Sequence, residues 1–277
     1  MAKIDINISS DVIVKLLDVI EKGVGNLLKP WQIRRIGEAQ IEIDNKVAAA
    51  KRLYEFKDNL LASLEDNVNE RCSIEKHNIC AIIAQAANEL QEIENIDKTP
   101  VPFDWAARFF DYAKYVTEDE VRVIWARLLA EEIKKTGTYS KRTLTVLHNM
   151  EKEELISFSQ MCSFVISDIL PFEVFENESR SSAYMDVHKI QAMLDCGLLD
   201  TDSCEVTFAS TKELEGHSLK YLFDRQVSFS ISGYSLTDAG WQLSKIIPCK
   251  KNTDYALMYK KILEEETKAN VDVIFKE

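Results

Sequence analysis

The segment VRVIWARLLAEEIKKTGTYSKRTL, residues 121–144, is the most regularly patterned part of the chain. Apolar residues recur along it at helical spacing, which predicts an amphipathic helix that buries Trp125 in the core. The predicted apolar face consists of Val121, Trp125, Leu128 and Leu129. Thr117 and Glu120 stand at the spacing of a capping box, so we expect Thr117 to cap this helix.

The predicted helix ends in a turn that is rich in charge. Lys134 and Lys135 fall in its last turn, where cations stabilise the negative end of the helix dipole. Gly137 can take the left-handed conformation of a helix exit, and Ser140 is placed to cap the next helix. Glu131 is then expected to form an exposed i,i+4 pair with Lys135.

Two interpretations of this turn are open from the sequence. In the structural one, Glu132 reaches Arg142 or Arg108 and forms an internal salt bridge. In the functional one, four cations bind an anion together with the free N–H groups of the helix that begins after Ser140. Those cations are Lys134, Lys135, Lys141 and Arg142. We favour the structural interpretation, because the helix dipole already explains a lysine pair at a helix end.

The part of the chain upstream of this segment predicts long amphipathic helices. A first helix is expected to begin at residues 9–11 and to end before Pro30. A seven-residue apolar recurrence over residues 36–61 is typical of a coiled coil or a helical hairpin. A third helix is expected over residues 65–94, because the segment DKTPVP at 97–102 breaks the pattern.

Shorter helices are expected between this break and about residue 170. The first is aromatic: Asp104 can cap it, and Trp105 and Phe109 lie within it. After Pro171 the pattern changes to a mixture of helix and strand signals.

The C-terminal part follows the order of a winged-helix module. A helix over residues 186–196 precedes strand-like segments at Glu205–Ala209 and Val227–Ile231, and Thr237 can cap a further helix. A tail helix and the alternating segment VDVIF at residues 271–275 follow. The segment at residues 4–8 alternates in the same way, and the sequence leaves open whether the two pair or fray.

These patterns predict a mainly α fold class. Long N-terminal helices and a helical bundle would be followed by a small winged-helix-like α+β domain. The predicted segments are residues 1–98, residues 99–170 and residues 171–277.

Composition limits the function classes. The chain carries a formal charge of −12, which disfavours a general nucleic-acid coat. Met1 is followed by a polar alternating segment, no uncharged apolar stretch is long enough to span a bilayer, and the six cysteines contain no C-x-x-C pair. We therefore expect a cytoplasmic protein without a transmembrane segment.

No catalytic or cofactor motif is present in the sequence. The nucleophile elbow, the phosphate-binding loop and the dinucleotide-binding turn are all missing, so we expect a non-enzymatic protein without a cofactor. Cys72, His77 and Cys80 are the best metal-ligand candidates. Cys72 would lie about 12 Å from Cys80 along one helix, which is too far for one zinc ion, so we expect no metal site.

DNA binding by the winged-helix-like part is the alternative that the sequence leaves open. Residues 161–277 hold 12 lysines and arginines against 19 aspartates and glutamates, a net charge of −7. Phosphate contacts supply most non-specific affinity, so this segment begins at an electrostatic disadvantage. We therefore favour protein docking over DNA binding.

The middle of the chain resembles an uncharacterised bacterial family, domain of unknown function 2806, over about sixty residues. The matching positions are Asp104, Trp105, Phe109, Trp125, Leu129, Ala130, Glu132, Ile133, Gly137, Ser140, Arg142, Thr143 and Leu144. Glu131 and Thr136 depart from the family pattern, which expects a small residue and a proline there. The layout is also distantly similar to that of the abortive-infection alpha proteins, which are associated with bacterial antiphage defence.

The family resemblance implies no activity, and the distant likeness implies a role in phage defence. Together with the residue patterns, this predicts a non-enzymatic interaction or oligomerisation protein with a protein partner. Self-association is expected through the N-terminal helices. The alternative is a DNA-binding winged-helix regulator.

Overall fold

The computed structural model of the protein describes residues 9–24, 70–91, 93, 95–174 and 185–276. It divides the chain into two compact units, Met1–Leu144 and Thr145–Glu277. The division into three segments that the sequence predicts stays a prediction. The seven-residue recurrence over 36–61 lies outside the described residues.

The described part of the N-terminal unit consists of helices. These are α1 (Ser10–Val24), α2 (Glu70–Glu89), α3 (Phe103–Ala113), α4 (Asp119–Lys134) and the start of α5 (Lys141–Asn149). Helix α1 packs on α3, and α2 packs on α4. A Cβ atom at Gly23 would lie 2.0 Å from Phe110 Cδ2 and 2.7 Å from the Ala106 carbonyl oxygen, so the contact between α1 and α3 requires glycine there.

Trp125 lies at the centre of this unit, as predicted. Its side chain is 1% exposed, and Phe109 meets it edge-on with the ring centroids 5.3 Å apart. Phe109 in turn stacks on Trp105 at 5.3 Å. Three aromatic side chains thus join α3 to α4 in one apolar layer.

Three predicted helix starts had different outcomes. Ser140 caps α5 as predicted, because its Oγ accepts the Thr143 N–H at 3.1 Å. The capping box at Thr117 is wrong: Glu118 occupies the cap position of α4 without a side-chain cap bond. Asp104 does not cap α3 either, since that helix begins at Phe103.

The C-terminal unit combines helices with an antiparallel sheet. After α5 its elements are α6 (Lys152–Cys162), β1 (Ile169–Pro171), a 3-10 turn (Phe172–Val174), α7 (Val187–Asp195), β2 (Leu199–Glu215), β3 (Leu219–Leu236), α8 (Asp238–Ser244), α9 (Thr253–Thr267) and β4 (Val271–Phe275). The strand order is β1-β3-β2, and β4 pairs with the start of β3. A Cβ atom at Gly233 would lie 2.2 Å from the Leu170 carbonyl oxygen, so the close approach of β1 at position 233 requires glycine there.

A long hairpin of β2 and β3 dominates this unit. The pairing runs from Glu215 opposite Lys220 to Leu199 opposite Leu236, with three register shifts. Strand β3 alternates buried and less buried residues over its second half, because one face covers the core. Strand β2 is exposed along most of its length, since it forms the edge of the sheet.

The predicted mainly α fold class is wrong. The described residues form nine α-helices and a four-stranded antiparallel sheet, which is a mixed α/β fold. The strand signals at Glu205–Ala209 and Val227–Ile231 mark only short central parts of the two long strands. Pairing between strands includes polar residues whose local sequence indicates a loop, because strand formation depends on cross-strand neighbours.

The segment VDVIF forms β4 and pairs antiparallel with Leu219–Phe223. The similar segment at residues 4–8 lies outside the described residues. Pairing between the two ends therefore stays a prediction.

Candidate functional site

The turn after α4 is built around the buried carboxylate of Glu132. The Glu132 side chain is fully buried, and its two oxygens accept the backbone N–H groups of Gly137 at 2.7 Å and Tyr139 at 2.9 Å. Gly137 has φ of +85°, the left-handed conformation that the sequence predicts for the helix exit. The turn thus folds back around a carboxylate of the helix that it ends.

Tyr139 is held through both of its backbone groups. Its N–H donates to Glu132, and its carbonyl oxygen accepts the indole N–H of Trp105 at 2.7 Å. The family-pattern residues Trp105, Glu132 and Gly137 therefore meet at one turn, although 32 positions separate the first from the last. Their common role is to fix this turn against α3 and α4.

Lys15 of α1 is a second buried charged group near the turn. Its side chain is only 7% exposed, and its ammonium donates to the Asp97 carbonyl oxygen at 2.6 Å. The Asp97 N–H donates to the Lys134 carbonyl oxygen at 2.9 Å, and the Thr136 hydroxyl donates to the Thr99 carbonyl oxygen at 2.6 Å. These bonds tie α1, residues 97–99 and the end of α4 together.

Burial and the neighbouring charges shift the pKa values of Glu132 and Lys15 in opposite directions. Burial raises the pKa of Glu132, while the N–H groups of the turn and the charge of Lys15 counteract that rise. Burial lowers the pKa of Lys15, while Asp97 and Glu132 counteract that fall. Each group therefore offsets part of the cost of burying the other.

The sequence places the partners of Glu131 and Glu132 wrongly. Glu131 pairs with Lys134 at 2.7 Å, an i,i+3 pair, and not with Lys135. Glu132 binds backbone N–H groups in place of Arg142 or Arg108. Backbone N–H groups form charge-assisted hydrogen bonds with a buried carboxylate, but no side-chain pattern reveals them.

The four cations of the predicted anion site have different environments. Lys134 pairs with Glu131, and Lys141 pairs with Asp104. Lys135 and Arg142 are exposed, and the structure gives them no ion pair with a described residue. The anion-binding interpretation stays a prediction, with two of its four cations already paired with carboxylates.

A buried polar contact that the sequence analysis missed joins α2 to the start of α4. Asn78 is 1% exposed; its amide donates to the Lys114 carbonyl oxygen at 2.8 Å and accepts from Arg122 at 2.8 Å. Arg122 also donates to the Val116 carbonyl oxygen at 3.1 Å. Two of the acceptors are backbone oxygens, so side-chain spacing gave no signal for this contact.

Metal-ligand candidates are not brought together within the described ranges. No group of three or more histidine, cysteine or acidic side chains there could hold a metal ion. Cys80 is buried, and burial raises the pKa of its thiol to about 12. His77 is exposed, and the side chain of Cys72 lies outside the described residues. Among the described helices, none is both long and apolar enough to cross a membrane.

The second candidate site is the outer edge of β2 in the C-terminal unit. Strand β2 pairs only with β3 among the described strands, so its other edge carries backbone groups without a strand partner there. Residues 203–208 pair with residues 229–234 without a register shift. This stretch, which we call the β2 edge, is the longest regular part of the strand.

The two faces of the β2 edge differ. Cys204, Val206 and Phe208 lie opposite core residues of β3, and Val206 is 39% exposed. Glu205 and Thr207 lie on the opposite face. The β2 edge thus offers an apolar strip, a polar strip and a row of backbone groups to a neighbouring chain.

Comparison with known proteins gives one family match. No curated protein and no solved structure matches the chain. The model of the family described as "Protein of unknown function (DUF2806)" matches residues 66–169, which include the turn after α4. The resemblance that the sequence predicts is therefore confirmed. The likeness to abortive-infection alpha proteins stays a prediction. The match covers residues 66–169, and it is this part of the chain that is similar to that family of unknown function.

Proposed function

We propose that the chain is a non-enzymatic interaction protein, which docks a protein partner through its C-terminal unit and self-associates. The observation that carries the docking part of this proposal is the β2 edge, residues 203–208, which no described strand covers. Long exposed edges are normally avoided or protected, because they recruit strands from other chains. A protein that keeps one can use it for strand addition, in which main-chain hydrogen bonds supply affinity.

The turn after α4, which is built around Glu132, supports the non-enzymatic part of the proposal. Its carboxylate, its indole N–H and its turn N–H groups bind one another inside the N-terminal unit. A catalytic carboxylate must reach a substrate, whereas Glu132 is fully buried and already accepts two N–H groups. The family pattern then maintains a fold and not a reaction centre.

The C-terminal unit supports a winged-helix-like module. Helix α7, the β2–β3 hairpin and α8 follow one another, and β1 pairs with β3 beside the hairpin. Such modules dock proteins as well as DNA, and fold alone does not fix the choice. This order of elements is also the observation that favours DNA binding as the second candidate function.

Electrostatics favours a protein partner over DNA. Among the described side chains of α7, Lys189 is the only lysine or arginine, and it donates to Gln160 at 3.1 Å. Strand β2 carries five carboxylates against Lys212 alone. A hairpin with this charge would repel the phosphate backbone that normally supplies most of the affinity.

Photo-crosslinking in the native host tests protein docking. We expect a crosslinking amino acid at Val206 to yield a covalent adduct with a defined protein, and the same group at Leu257 of α9 to yield none. Leu257 is a matched control because it is an exposed aliphatic side chain outside the sheet, 49% exposed against 39% for Val206. Equal adducts at both positions, or none at Val206, would contradict docking at this edge.

Light scattering after size exclusion tests self-association. We expect a dimer or a larger species at micromolar concentration, whereas a 31.7 kDa monomer would contradict it. Fluorescence anisotropy with duplex DNA at two salt concentrations tests the alternative. Tight binding that weakens steeply with salt would favour the DNA-binding regulator.

The proposed setting is antiphage defence in the bacterial cytoplasm. It rests on the layout likeness to abortive-infection alpha proteins. Deletion of the gene in its host should raise the plaquing efficiency of at least one phage, and restoration of the gene should reverse the effect. Unchanged plaquing across a broad phage panel would contradict this setting.

A further inference from the structure

We infer that the β2 edge binds an extended partner segment of about six residues with apolar side chains at alternate positions and a cationic side chain that meets Glu205. This inference rests on the proposed docking function and names the chemistry of the partner. Three properties of the β2 edge carry it: its regular backbone, its apolar strip and the negative charge of Glu205, which forms no ion pair with a described residue.

The backbone sets the length of the segment. Residues 203–208 pair in continuous register with residues 229–234, and register shifts occur on both sides of this stretch. Ser210 has φ of +52°, so the strand bends directly after the regular part. In a regular edge strand every second residue directs its N–H and C=O groups outward. A partner strand can therefore pair with about six residues before the bend ends the match.

The apolar strip requires apolar residues at alternate partner positions. Phe208 stacks on Phe229 with ring centroids 5.3 Å apart, and Val206 lies opposite Ile231. Ile231 is 2% exposed and Phe229 is 8% exposed, but Val206 is 39% exposed. The apolar layer of the sheet thus reaches the edge and is uncovered there. An apolar side chain on an added strand would lie beside Val206 and extend the layer.

The charge pattern favours a cation at the partner position that meets Glu205. Glu205 is the one charged residue of the β2 edge, Asp200 and Asp202 precede the edge, and the stretch Leu199–Thr211 holds no lysine or arginine. Asp200 accepts from the Ser235 hydroxyl at 2.9 Å, whereas Asp202 and Glu205 have no ion pair with any described residue. Glu205 lies opposite Ser232, so its cross-strand neighbour on β3 supplies no cation.

The same charges decide against a second copy of this chain as the occupant. Pairing of two β2 strands would bring like charges onto adjacent strands, which destabilises a sheet. A cationic segment instead gains from each carboxylate that it meets. Partner selection at this edge is therefore electrostatic, and self-association uses another surface.

Peptide binding to the full-length protein tests this inference. The probe is an eight-residue fluorescent peptide that alternates valine and lysine, measured by anisotropy at low and high salt. Three control peptides are an alternating valine–glutamate peptide, a peptide of the same valines and lysines in blocks, and the probe methylated on alternate backbone nitrogens. We expect the probe to bind and the three control peptides not to bind. Binding of the probe should be weaker at high salt.

Matched charge variants locate the binding. We expect Glu205→Lys to weaken probe binding about fivefold, because an attractive cross-strand pair becomes a repulsive one. Glu265→Lys on α9 makes the same charge change at another exposed position and should leave the affinity unchanged. Thermal melts of both variants show whether they keep the parent fold.

The peptide and crosslinking results separate a failure of this inference from a failure of the docking function. Equal binding of the methylated probe would overturn strand addition, and equal binding of the valine–glutamate peptide would overturn the charge assignment. If no peptide binds but the crosslinker at Val206 still captures a protein, this inference fails while the docking function stands. If neither the peptide nor the crosslinker reports binding, the docking function itself fails.

Discussion

The turn around Glu132 and the β2 edge differ in where their polar groups find hydrogen-bond partners. At the turn, a fully buried carboxylate and its N–H donors satisfy one another inside the N-terminal unit. At the β2 edge, the Glu205 carboxylate forms no ion pair with a described residue, and the outward backbone groups have no described strand partner. The turn carries the conspicuous sequence pattern, whereas the β2 edge is the surface at which we propose binding. The strong pattern indicates internal structure here, and the proposed interaction surface lies where described partners are missing.

Replacement of Trp125 by alanine should produce the largest effect and tests whether the motif is structural. The side chain is 1% exposed and packs against Phe109, so its loss should lower the free energy of unfolding by about 3–5 kcal/mol. Chemical denaturation monitored by circular dichroism measures this. A variant that unfolds like the parent but loses a cellular function would instead make Trp125 a site residue.

Glu132→Gln should produce the next largest effect. The substituted amide has nearly the same shape, but its NH2 group would face one of the N–H donors of Gly137 and Tyr139. We expect a loss of about 1–3 kcal/mol in the free energy of unfolding.

The neighbouring variant Glu131→Gln is the matched control for Glu132→Gln. Glu131 is partly exposed, and among the described residues its ion-pair partner is Lys134; such a surface ion pair is worth about 1 kcal/mol or less. Equal losses from the two variants would show that the buried carboxylate does not hold the turn.

The sequence predicted local features of the motif well. The burial of Trp125, the left-handed Gly137 and the Ser140 cap depend on residues a few positions apart, so their signals are complete in the sequence. The partners of Glu132 were missed because they are backbone groups. Its neighbour Lys15 was missed because it lies more than a hundred residues away along the chain.

The sheet was predicted only in part, because its pairing also joins residues that are far apart along the chain. The apolar segments at Glu205–Ala209 and Val227–Ile231 indicated strands, but the pairing extends over 17 residues of β2 and 18 of β3. Polar residues in these extensions are held by cross-strand partners, such as the Thr207 and Ser230 hydroxyls at 2.9 Å. Their strand conformation depends on long-range pairing, which local propensity does not report.

A pH effect at His217 should be the smallest of these effects and belongs to the C-terminal unit. Burial, together with the cations Lys245 and Lys276, lowers the pKa of His217, and Asp168 opposes this shift. Below pH 6.5 the unfolded chain therefore binds a proton before the folded one, so stability falls as the pH drops through the folded-state pKa. We expect the parent to lose at most about 1 kcal/mol more than His217→Gln over this range.

Denaturation of both proteins between pH 7.5 and 5 measures the difference. A parent that gains stability relative to His217→Gln on acidification would show the opposite sign. The histidine would then be a charged partner of Asp168 and not a partly buried neutral group.

Site-resolved amide hydrogen exchange tests the contrast between the two regions most directly. It is measured by NMR on the protein alone, at a concentration where light scattering shows its lowest oligomeric state. We predict slow exchange at the Gly137 and Tyr139 N–H groups and an alternation of slow and fast exchange along residues 203–208. Uniformly slow exchange along residues 203–208 would contradict an uncovered β2 edge. Fast exchange at Gly137 and Tyr139 would contradict a turn held by the Glu132 carboxylate.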